Sequence, residues 1–144
     1  MSGIVGSAGS KSGVIGETEL DYEEGTWTPG VLGASVTGGN WVAHYTKIGN
    51  RVLFNWYSSS VTFSSASGDA IITGLPFTAS NDSNNYSPFH YVHGNAVDGD
   101  TRGGAVYQNA TTMKFFDKNG QAGSTFNNGA SKYMMISGQY FTDI

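Results

Sequence analysis

"WVAHYTKIGNRVLFNWYSSSVTF", residues 41–63, is the stretch on which the fold turns. Trp41, Ala43 and Tyr45 alternate with Val42, His44 and Thr46, a period of two that sends successive side chains to opposite faces of a strand. The "IGN" at 48–50 supplies the glycine and asparagine that a tight hairpin needs. On the return, Val52, Phe54 and Trp56 share one face, and Leu53, Asn55 and Tyr57 the other. Bulk on both faces predicts a strand that is central in its sheet or lies at a subunit contact.

Working outward, the same signals recur. "DAIITGLPFT" reads as a short strand stopped by Gly74 and Pro76. "FHYVHGNAV", "GGAVYQN", "TTMKFFD" and "KYMMISGQYFT" are further strand candidates, separated by the turn-rich "SNDSNN", "DGDTRGG", "DKNGQAG" and "NNGAS". Seven to nine strands without a convincing helix predict an all-β chain. Strands distant in sequence must then pair, which favours an antiparallel β-sandwich of jelly-roll type over a simple barrel. The chain has 144 residues, enough for one domain with a hydrophobic core. Its charged fraction is 12% against 13% aromatics, so it has apolar mass to bury and little repulsion to resist collapse.

The charge is unevenly placed. Residues 1–24 hold five acids and one lysine, which accounts for the whole formal charge of −4. The remaining body is neutral and has no cluster of Lys and Arg, which argues against nucleic-acid binding. Residues 1–16 are rich in Gly and Ser, so residues 1–24 are expected to form an extended N-terminal arm ahead of a sandwich domain at 25–144. A brief helix over 17–24 would be bracketed tightly by Gly16 and Gly25. The N-terminus lacks the basic and apolar regions of a signal peptide, and no stretch approaches the ~20 apolar residues of a membrane-spanning helix. There is no cysteine, so disulfides and thiolate metal sites are excluded.

Candidate chemistry is sparse. Asp21, Glu23 and Glu24 crowd into one segment, whereas a glycosidase needs two carboxyls ~5–10 Å apart across a cleft, usually from different strands. His90 and His93 stand three apart, which in a strand points them to opposite faces, and His44 has no acid beside it in sequence. "DGDTRGG", Asp98 to Gly104, resembles a shortened calcium loop without the acid that completes one, so whether it holds an ion stays open. "GSAGSKSG" fails as a phosphate loop at Val5 and Ser10. No reaction is legible, and the expectation is a non-enzyme without a cofactor or bound metal.

Four segments in order, "LDYEEGTWTP", "YTKIGNRVLFN", "ITGLPFT" and "ISGQYFT", resemble a family of small β-rich phage virion proteins. These are found in phages of aquatic bacteria, often at the C-terminal end of tail fibres. The resemblance implies a trimeric virion-surface component, made in the bacterial host cytoplasm, with no catalytic residues. Read as a chain that starts at Met1 with only a short arm before the domain, it fits a capsid decoration (cement) protein bracing major capsid subunits. The alternative is a tail-fibre or spike tip that contacts a host surface glycan.

On either reading the partner contacts are expected in the arm and its junction: Ile4, Val5, Val14, Ile15, Glu19, Asp21, Tyr22, Glu23, Glu24 and Trp27. The aliphatic pairs would enter a groove on a neighbour, the acids would meet basic groups, and Trp27 would be the first residue locked into the fold. Alternatively the acids only keep the arm soluble. Residues 1–24 are expected to be poorly ordered until a virion neighbour fixes them. Leu53, Phe54, Trp56 and Tyr57 carry more apolar bulk than one small sandwich interior needs, and are the expected homotrimer contact.

Overall fold

The structure is a computed structural model that describes residues 21–120 and 122–143. Among these residues there are ten strands and no helix. They are β1 (Tyr22–Trp27), β2 (Gly30–Leu32), β3 (Ser35–Gly38), β4 (Ala43–Ile48), β5 (Arg51–Ser64), β6 (Ile71–Thr73), β7 (Ser87–Val92), β8 (Gly103–Val106), β9 (Thr112–Phe115) and β10 (Gly129–Phe141). Every strand pairing is antiparallel. The all-β antiparallel expectation is met. The strands do not divide into two stacked sheets as in a jelly roll. They form one sheet in the order β1-β4-β5-β10-β7-β8-β9-β6-β2, with β3 on the far end of β5, and that sheet curls into a half-barrel.

The curl has a local cause. β5 and β10 are the long central pair, of 14 and 13 residues. Their register slips twice, around Ser59 and Ser60 on β5 and around Ala130 and Ser131 on β10. Ser60 and Ser131 take left-handed backbone angles, φ 60° and 57°. Extra residues of this kind bend a strand and strengthen its twist. They also shift the alternation. Val52, Phe54, Trp56 and Ser58 point inward before the bulge, and Val61 and Phe63 after it. The "SSS" at 58–60 is therefore a bend in one strand, and small side chains fit there.

Inside the curl Trp56, Phe63, Met113, Phe115, Met134, Ile136 and Tyr140 are fully buried. Gly138 on β10 makes the room. A Cβ there would lie 2.8 Å from both the Phe54 ring and Phe89 Cβ, so its absence lets the two aromatics meet the strand. Phe54 contacts Trp27 edge-on, with centroids 6.4 Å apart, and Phe115 stands edge-on to Phe89 and Tyr91.

Two expectations need correction. Residues 21–24, assigned to the arm, do not stand outside the fold, because Tyr22 to Trp27 pair residue by residue with Ile48 to Ala43. Among the described residues the sheet thus begins at Tyr22, and residues 22–24 of the segment considered for a helix are strand. Phe54 and Trp56 are 4% and 1% exposed, so they serve the interior of a single chain and leave no surface for a trimer contact. The curl of one sheet creates a wider interior than expected, and it takes both rings. Leu53 and Tyr57 remain on the outer face.

Candidate functional site

The acidic stretch is a ladder of pairings along the edge of the sheet. Glu23, Gly25 and Trp27 face Lys47, Tyr45 and Ala43 across β1 and β4. The bonds run diagonally, one step back along β1. Lys47 Nζ reaches Asp21 Oδ2 at 2.5 Å, and the Tyr45 hydroxyl donates to Glu23 Oε1 at 2.5 Å. Gly25 permits this, because a Cβ there would meet the Tyr45 hydroxyl at 2.9 Å. The aromatic ring covers an edge glycine while its hydroxyl reaches past it. On the other face Tyr22 donates to Glu24 Oε2 at 2.7 Å. The Tyr45 and Tyr22 pKa values are raised, first by these hydrogen bonds to carboxylates. Asp21, Glu23 and Glu24 are thus ordered surface groups with intramolecular partners, and no two of them flank a cleft. Trp27 is buried in the core, so the junction tryptophan anchors the fold from inside. Ile4, Val5, Val14, Ile15 and Glu19, and with them most of the expected arm, lie outside the described residues.

Residues 21–29, 45–55, 72–78 and 136–142 meet at this end of the molecule. The β6–β7 connection crosses it as a strap. Tyr140 donates its hydroxyl to the Phe77 carbonyl at 3.0 Å and accepts from Phe77 N–H at 3.2 Å. Thr142 Oγ1 donates to the Thr78 carbonyl at 2.8 Å. The Phe77 ring stands edge-on to Tyr45 and lies 5.9 Å from Lys47 Nζ. These segments are thus joined by packing and hydrogen bonds into one structural unit.

The other sequence candidates separate. His93 follows β7 with a left-handed φ of 46° and sits between the rings of Tyr57 and Tyr133, while His90 faces outward from β7. In the Asp98–Gly104 loop, Asp100 pairs with Lys118 at 3.5 Å beside a cleft that Asp98 and Asp117 also line. Among the described residues no three His, Asp or Glu side chains converge as a metal site would require.

What sequence reasoning missed lies on the outer face. Strand register aligns His44, Asn55, Ser137 and His90 in one row across β4, β5, β10 and β7. The row crosses an open groove of about 610 Å³, whose other walls include Leu53, Tyr86, Pro88, Gln139 and Phe141. None of the lining residues is Asp, Glu, Lys or Arg. Arg51 stands at the rim, over the Phe141 ring at 4.9 Å and 3.3 Å from Gln139 Oε1. One step along the strands, Tyr57, Met135 and Val92 form an apolar row, 44%, 41% and 52% exposed. Only the outward position of each side chain was readable from alternation; which residues stand side by side is set by register. Compared with family models, curated proteins and solved structures, the chain matches none.

Proposed function

We propose that this chain is a non-enzymatic structural protein of a phage virion surface, a homotrimeric capsid decoration (cement) protein that braces major capsid subunits. The ordered resemblance of its four segments supports the virion setting. The observation that carries an assembly role is the apolar row Tyr57, Met135 and Val92, uncovered in the middle of the sheet. Contiguous exposed apolar surface of this kind usually marks a protein contact. Asp21, Glu23 and Glu24 are engaged in hydrogen bonds along the strand edge. Labelling the protein in intact virions tests the reading: copies spread over the shell are expected, and copies confined to the tail would overturn it.

A second reading is favoured by the neutral polar groove beside that row. It makes the domain a tail-fibre or spike tip that contacts a bacterial surface glycan. Labelling at the tail end is its expected result.

A further inference from the structure

The geometry points to the outer-face groove as a binding site for a short neutral oligosaccharide, an inference that rests on the fibre-tip reading for its biological setting. Elsewhere in the fold several small polar side chains are engaged. Asn40, Asn95, Asn127 and Asn128 all bond backbone groups, and Ser80 and Thr142 close the C-terminal end. The row in the groove gathers four that are not: among the described residues His44, Asn55, Ser137 and His90 make no side-chain hydrogen bond, and they stand side by side on four adjacent strands. Strands lie ~4.8 Å apart, so the row offers donors and acceptors over roughly 14 Å. That length suits a chain of sugar rings better than a single ring.

The walls supply the second half of such a site. Sugar rings present hydroxyls at their edge and C–H groups on their faces. Leu53, Pro88, Tyr86 and Phe141 give apolar surface next to the polar row, and Tyr86 is held edge-on by Tyr107 with centroids 5.3 Å apart. A few placed polar groups in a mainly apolar cleft of this size is the usual pattern of a small-ligand site. The missing charges narrow the class. A phosphate or nucleic acid would need cations along the row, and a metal would need converging acids. An acidic saccharide could meet only Arg51 at one rim, and Arg51 is already over Phe141.

The test titrates neutral trisaccharides of glucose, galactose, mannose and N-acetylglucosamine into isotope-labelled full-length protein, with sialyllactose as the acidic arm. The expected result is that at least one neutral sugar shifts the amide resonances of Asn55, His90 and Ser137. Asn55→Ala and His90→Ala should each weaken that binding about tenfold, as loss of one well-placed hydrogen bond does. Thr37→Ala, on β3 and outside the groove, should leave it unchanged. The replaced side chains point outward, so thermal melting should not move. If either variant melts early, Ser137→Phe, which fills the groove from its floor, decides in its place. Silence from every neutral sugar, binding of sialyllactose alone, or equal binding by the groove variants would overturn the inference. A shell-wide location in virions would remove the fibre-tip reading and leave saccharide binding standing, whereas a silent titration removes the groove and leaves the location standing.

Discussion

Tyr140 shows how much one side chain holds. Its ring is fully buried beside Phe54, and its hydroxyl is both donor and acceptor to the Phe77 backbone. Tyr140→Phe keeps the ring and strands both backbone groups, so a loss of ~1–3 kcal/mol is expected in urea unfolding. A pH dependence follows from the same burial, which raises the phenol pKa well above its usual value. The unfolded chain ionises near the ordinary value of 10 while the folded chain holds its proton. The stability linked to this proton is whole below about pH 10 and falls as pH rises further. The melting temperature of the parent protein should therefore drop more steeply above about pH 10 than that of Tyr140→Phe. A parallel decline would assign the alkaline loss to other tyrosines, such as Tyr91, whose pKa burial also raises. At this scale the sequence was half readable. Alternation identified the two faces around Trp56, yet bulk on both hid which was interior. The absence of a Cβ at Gly138, which lets Phe54 and Phe89 in, settles the matter, and that contact joins residues far apart in the chain.

At the scale of elements, the β4–β5 hairpin and most of the later strands were legible, because each is a local pattern. β1 was not. Its acids and glycine are poor strand formers when read alone, and their partners Tyr45 and Lys47 lie 22 and 26 residues away. Only pairing to β4 makes the segment a strand. The bulges were also hidden, since three serines in a row carry no period. They make a sharp prediction. Ser60 has a left-handed backbone, where glycine is at ease and a β-branched residue is strained. Ser60→Gly should be neutral or slightly stabilising, while Ser60→Val should cost ~1–2 kcal/mol in chemical denaturation. Equal stability of the two would mean that this bulge does not set the bend between the two halves of the sheet.

For the whole molecule, the one feature no local reading could supply is that a single sheet curls into a half-barrel. That depends on β10 lying between β5 and β7, and β6 between β9 and β2. The outer-face groove was illegible for the same reason, since its row draws one residue from each of four strands. The curl also decides where apolar surface is left over. The interior takes Phe54 and Trp56, so a contact between copies through the sheet uses its outward side chains, and among these Tyr57, Met135 and Val92 stand in register on three adjacent strands. An ammonium placed in the middle of that row would remain hydrated in a single chain and would be desolvated in an assembly, which costs several kcal/mol when it is unpaired. If the proposed homotrimer forms through this row, Met135→Lys should leave the β-sheet circular dichroism and the monomer's melting unchanged while shifting sedimentation equilibrium from the trimer expected of the parent protein to monomer. Thr37→Lys, an equal change of charge on β3, should leave the proposed trimer intact. A Met135→Lys protein that still sediments as a trimer would move the subunit contact away from this row and onto another part of the chain.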